Sequence, residues 1–257
     1  MECRVMRIPY VVLCLILLSC SREKDITHWH YASSYVFEYV QYEKIISHTG
    51  AWGELIVQVI PNDSYGAFST SEADVKKYDA KCQLYGDLGY DLKFWSLECN
   101  SYENCVQDRD FEAIKIYSDK DFLVNYPSGA NLAPLYYLAS RSPYRYINSK
   151  YSLPYNGETD DYPPYYREYL NNKRGIDFAI GDGVYPVFGV VSNFSSEDMK
   201  LLGFGNHWAS PFEMFTLYPT CLPDDKTIHS ITIELLDSNG EILTCCVDVD
   251  FSMIKVI

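Results

Sequence analysis

The chain is short of basic residues: 21 Lys and Arg stand against 35 Asp and Glu, for a formal charge of −14. A surface of that sign repels phosphate backbones, which excludes nucleic acid as a partner. There is no Cys-x-x-Cys, and the five histidines are scattered without ligand spacing. Structural metal sites need such clusters, so neither a metal nor another cofactor is expected. The serine-hydrolase elbow Gly-x-Ser-x-Gly is missing. So is a complete dinucleotide loop, because Gly203-Phe204-Gly205-Asn206-His207-Trp208 lacks the third glycine and a strand-turn-helix setting. Ser21 and Lys24 make a Ser-x-x-Lys, a spacing short enough to recur by chance. No apolar run reaches the roughly 20 residues that cross a bilayer as a helix.

What is present begins at the N-terminus. Arg4 and Arg7 precede an apolar run from Ile8 to Leu18, then Ser19 and Cys20, which is the layout of a secretory signal. Leu17-Leu18-Ser19-Cys20 resembles a bacterial lipobox, which implies cleavage after residue 19 and acylation of Cys20. Several acyl chains on one residue anchor a protein firmly where one chain does not. The charged stretch Arg22-Glu23-Lys24-Asp25 resembles the tether that carries some lipoproteins to the cell surface. The expected organisation is therefore a signal over 1–19, a lipidated tether over 20–30 and one domain over 31–257, located at the bacterial outer membrane and facing the cell surface or the periplasm. Losing Glu2, Arg4 and Arg7 with the signal takes the formal charge from −14 to −15.

Six cysteines besides Cys20 remain after cleavage: Cys82, Cys99, Cys105, Cys221, Cys245 and Cys246. Outside the cytoplasm an even number suggests disulfides, and the nearest local pair is Cys99 with Cys105 across Asn-Ser-Tyr-Glu-Asn.

Residues 229–251 read as a β-hairpin. Ile231, Ile233 and Leu235 alternate with polar residues, as do Leu243, Cys245, Val247, Val249 and Phe251, and Gly240 takes the turn position that wants positive φ. That pattern points Cys245 inward and Cys246 outward with Asp248 and Asp250. Further strand-like runs are Ala51–Ile60, Phe111–Tyr117, Ile176–Ile180, Val184–Ser192 and Phe212–Tyr218. Short helices are expected over Asn131–Ser140 and Ser195–Leu202, the second opened by Ser195-Ser196-Glu197-Asp198. Many strands at short spacing predict a mainly β fold, an antiparallel β-sandwich.

One segment breaks that rhythm. Residues 126–169 hold 11 of the 24 tyrosines and six of the 12 prolines. Proline removes ladder donors, so a long inserted or edge region over about 126–175 is expected here. Its end, with Tyr162, Tyr165, Tyr166 and Tyr169, is the candidate ligand surface, since tyrosine offers a flat face and a polar tip at little rotamer cost. Trp29, Trp52, Trp95 and Trp208 read as core or sheet-covering residues.

Two stretches carry a family resemblance. IKIYSDKDF from Ile114 with NYPSGANLAPLY from Asn125, and FTLYPT from Phe215 with the hairpin after it, resemble uncharacterised lipoproteins of Bacteroidota. The resemblance implies an immunoglobulin-like domain in the cell envelope and carries no activity with it.

Paired carboxylates such as Asp160-Asp161 or Asp248 with Asp250 could serve a glycosidase, and the loops at Asp182 or Asp160-Asp161 a weak calcium site. Among 35 acidic residues such pairs arise by abundance, and they read as solvated charge. The expected function is a non-enzymatic binding module of the envelope, with a polysaccharide as the favoured ligand. The alternative is an adhesin or assembly lipoprotein with a protein partner.

Overall fold

A computed structural model describes residues 28–32, 34–50, 53–90, 92–96, 105–152, 185–204 and 212–254. In chain order the strands are β1 (His28–Ala32), β2 (Glu38–Gln41), β3 (Ile45–Thr49), β4 (Leu55–Val59) and β5 (Asp63–Gly66). Helix α1 (Glu72–Tyr85) follows, then β6 (Leu92–Ser96), β7 (Cys105–Gln107), β8 (Phe111–Ser118) and β9 (Tyr136–Ser142). The short helix α2 (Tyr144–Asn148) leads to β10 (Tyr185–Val190), β11 (Phe212–Pro219), β12 (Ile228–Asp237) and β13 (Ile242–Asp250).

The fold is mainly β, and its body is an antiparallel β-sandwich. One sheet runs β10-β9-β11-β4-β3 and the other β13-β12-β8. Their inner faces meet because each strand alternates: Leu55, Val57 and Val59 on β4, Ile114 and Ile116 on β8, and Ile231, Ile233 and Leu235 on β12 all enter one core. The expected hairpin is present, with Gly240 at φ 82° in its turn. Cys245 is buried and Cys246 exposed, as the alternation requires.

A second core lies beside the sandwich. The strand order β5-β2-β7 makes a small sheet whose β2–β7 pair is parallel, against the antiparallel rule elsewhere. Tyr39 and Val106 face this second core, while Val40 and Cys105 face the first. The small sheet therefore serves as the wall between them. The second core is built mostly of tyrosine: Tyr35, Tyr39, Tyr65, Tyr78 and Tyr85 are all buried. Their rings meet edge-on or stacked at 5–6.4 Å, as with Tyr35 and Tyr146 at 5.1 Å and Tyr39 and Tyr65 at 5.5 Å. Their hydroxyls find partners where the chain offers one, as Tyr78 does at the Val36 carbonyl and Tyr85 at Asp110.

Three sequence expectations are corrected. Asn131–Ser140 is not a helix: Ala133–Leu135 makes a single 3-10 turn around Pro134, and β9 then starts at Tyr136. Ser195–Leu202 folds as turns, although Ser195 does receive the Asp198 amide at 3.3 Å. Leu201 at φ 51° and Gly203 at φ 76° stop it from propagating. The segment from Tyr126 is not edge material throughout, because β9 pairs with both β10 and β11 and buries Tyr136 and Leu138. Among the described residues its prolines sit at 127, 134 and 143, outside the strand, where they remove no ladder donor.

Helix α1 has no counterpart among the sequence expectations. Ser71 caps it by accepting the Asp74 amide at 3.4 Å, and Gly86 at φ 67° ends it with Asp87 N–H bonded to the Cys82 carbonyl. Only Tyr78, Cys82 and Tyr85 face inward, so its apolar stripe is too thin to announce a helix. Among the described residues no helix is long and apolar enough to cross a membrane.

Candidate functional site

A polar cleft opens where three distant pieces of chain converge. Gln41 ends β2 and Tyr42 follows it, Asp108 and Arg109 join β7 to β8, and Asn239 and Glu241 belong to the β12–β13 turn. Together they line a space of about 200 Å3. A bulge where Phe111 opposes Asp237 brings the start of β8 toward that turn.

Arg109 organises the floor. Its Nη1 donates to Asp237 Oδ2 at 2.8 Å and to Glu241 Oε2 at 2.5 Å, and its guanidinium lies 5.6 Å from the centre of the Tyr42 ring. Partial burial pulls the guanidinium pKa down, but the hydrogen bonds to Glu241 and Asp237 outweigh it and raise the pKa above its ordinary value. Asp237 is fully buried, and burial pushes its carboxyl up. The amides of Glu241 and Asn239, each 2.9 Å from Oδ1, and Arg109 reverse that push and leave the pKa lowered.

The opposite wall is held as firmly. Gln41 Nε2 donates to Asp108 Oδ2 at 3.1 Å, and Lys81 Nζ donates to the Asp108 carbonyl at 2.6 Å. Below them Gln107 Oε1 accepts the Tyr42 hydroxyl at 3.0 Å and the Arg109 amide at 2.6 Å. These bonds fix the side chains that wall the cleft.

Comparison with family models, curated proteins and solved structures finds no match. The chemistry must therefore be read from the residues alone.

A second constellation has the membership of a hydrolase triad. Ser118 Oγ lies 2.8 Å from His229 Nδ1, and His229 Nε2 lies 2.6 Å from Asp225 Oδ1. Ser118 also accepts the Lys120 amide at 3.2 Å, which fits a serine proton aimed at Nδ1 and an Nε2 proton shared with Asp225. A nucleophile needs a reachable face, however, and Ser118 is 4% exposed and His229 fully buried against Phe122 and Phe251. The trio instead pins the Ser118–Phe122 turn and the β11–β12 loop to each other. Lys120 Nζ completes the knot at the Ile228 carbonyl, 2.5 Å away.

Cys20, Cys99, Tyr162, Tyr165, Tyr166 and Tyr169 lie outside the described residues. Cys105, the other half of the expected local bridge, is on β7 and fully buried. Cys82, Cys221, Cys245 and Cys246 carry free thiols, against the suggestion of disulfides drawn from the even cysteine count. Burial lifts the Cys82 thiol to about 11 and the Cys245 thiol to about 12, so neither is a poised nucleophile. Asp248 and Asp250 are exposed on the outer face of β13, and Asp160, Asp161 and Asp182 lie outside the described residues. Trp29 and Trp95 are register partners in the β1–β6 pair, while Trp52 and Trp208 lie outside the described residues.

None of the six cleft residues was visible as a site in the sequence. Asn239 and Glu241 read only as a hairpin turn, and nothing local ties residues 41–42 to 108–109. The one available signal was Gln107-Asp108-Arg109-Asp110, a charged run directly after a strand.

Proposed function

We propose that this protein is a non-enzymatic binding module of the bacterial envelope, anchored through acylated Cys20 at the outer membrane, with a glycan as its ligand. The observation that carries this reading is the polar cleft of about 200 Å3 walled by Gln41, Tyr42, Asp108, Arg109, Asn239 and Glu241. A sugar is a dense array of hydroxyls, and planar amide and carboxylate groups held in place match such arrays with little ordering cost. The lipobox resemblance and the likeness to Bacteroidota lipoproteins support the compartment. Tyr162, Tyr165, Tyr166 and Tyr169, which offer stacking faces, are a second candidate ligand surface.

The test is affinity electrophoresis and calorimetry of the full chain in detergent against host and plant polysaccharides. A hit that disappears in Asn239→Ala, with the melting temperature unchanged, supports the cleft as the site. A hit lost instead in the Tyr165→Ala, Tyr166→Ala double variant moves the site to the tyrosine segment. Silence across the panel overturns the glycan reading, and cross-linking in intact cells would then seek a protein partner.

A further inference from the structure

Donors and acceptors around the cleft are unequally committed. Arg109 spends Nη1 on the carboxylates of Asp237 and Glu241, and Nη2 lies 3.5 Å from the Tyr42 carbonyl. Lys81 is held by the Asp108 carbonyl, 3.7 Å from its carboxylate, with its ammonium 5.9 Å from the Tyr39 ring centre. Gln41 commits its amide nitrogen to Asp108. Oxygen acceptors then outnumber donors among the lining groups, with the Asn239 side-chain amide bringing both. The Glu241 side chain is 64% exposed and that of Asp108 20% exposed, and Gln41 keeps its carbonyl.

The charges point the same way. Asp108, Asp237 and Glu241 against Arg109 and Lys81 leave one net negative charge at the site. A ligand carboxylate or sulfate would add to that surplus and meet cations already neutralised by closer partners, at a desolvation cost with nothing returned. A hydroxyl or ammonium donor would meet acceptors that have capacity to spare.

We infer that the cleft selects saccharides that donate hydrogen bonds and carry no negative charge, with an amine-bearing sugar preferred to a neutral one and uronate or sulfated sugars rejected. This rests on the glycan-binding reading above. Because Glu241 is largely in solvent, the amine preference is screened and falls as salt rises.

The experiment is calorimetry of the full chain with three oligosaccharides of equal length: a chitosan oligomer, its N-acetylated counterpart and an oligogalacturonate. The expected order is chitosan at least about tenfold tighter than the neutral oligomer at low salt, with no heat from the oligogalacturonate; tenfold corresponds to about 1.4 kcal/mol. Glu241→Gln should erase the amine preference. Asn239→Ala should weaken both. Asp108→Asn serves as the second charge variant if Glu241→Gln melts earlier than wild type. Equal or tighter binding of oligogalacturonate overturns the inference, and so does an amine preference untouched by both charge variants. If no saccharide binds but spermidine does, with dependence on Glu241, the selectivity stands and the glycan reading falls. If spermidine is also silent, both fall.

Discussion

Arg109 Nη1 lies 2.8 Å from Asp237 Oδ2 although the two residues are 128 positions apart. This contact joins the β7–β8 link to the β12–β13 turn, and with them the small tyrosine-backed sheet to the sandwich. Asp237 is fully buried, so removing its cation leaves a carboxylate held only by amides. Arg109→Met should cost about 2 kcal/mol, below the value for a fully enclosed pair because the guanidinium side is open to solvent. Urea denaturation at neutral pH measures it. A loss under about 0.5 kcal/mol would place the contact among ordinary surface pairs.

The knot at His229 makes an acid prediction. The hydrogen bond from His229, followed by that from Thr227, holds the Asp225 carboxyl at about 2, against an ordinary value of 3.8. A lowered carboxyl stabilises the fold above its unfolded pKa, and that stabilisation disappears as pH falls from 3.8 toward 2. Asp87 runs the other way. Burial raises it, despite the amides of Tyr35 and Val36 and the Tyr151 hydroxyl, so its favourable share is present at low pH and lost as pH rises through its raised pKa. Asp225→Asn should therefore show a flatter stability profile than wild type between about pH 4 and pH 2, read by urea titrations at fixed pH. Identical profiles would remove Asp225 from the acid response.

Strand β9 gives a third test. Leu138 is fully buried in the sandwich core, within a segment whose composition suggests an insertion. Leu138→Ala should cost about 3 kcal/mol through lost burial and the cavity left behind. Ile242→Ala, at a site 60% exposed on β13, should stay within about 0.5 kcal/mol. Comparable effects at the two sites would contradict the observed sheet order.

The anchor is tested in cells. Radiolabelled palmitate should enter the wild-type chain and not Cys20→Ala, and the variant should leave the membrane fraction. Label retained by the variant would mean that the lipid is elsewhere.

Much of the sandwich was legible because its strands obey a two-residue period over long runs. Ile231, Ile233 and Leu235 could be assigned to one face without any knowledge of what they pack against, and the burial pattern follows them. Gly240 was legible for a local reason, since the hairpin turn demands positive φ. The second core was not legible. Tyr35, Tyr39, Tyr65, Tyr78 and Tyr85 belong to a loop, two short strands and a thin-striped helix, and tyrosine is equally at home on a surface. The turn run at Ser195 shows the reverse error, a good helix cap with no helix behind it, because a cap satisfies amides but supplies no packing.

The sequence alone determined what depends on neighbours in the chain: strand alternation, the hairpin turn and the acidic balance. Only the tertiary structure decided what depends on meeting across distance. It set β9 inside a sheet, buried Ser118 and His229 while leaving their partner Asp225 at the surface, and gathered Gln41, Asp108, Arg109 and Glu241 around one cleft. Periodicity encodes which face of an element is apolar, and the partner that covers that face is selected only when the whole chain packs.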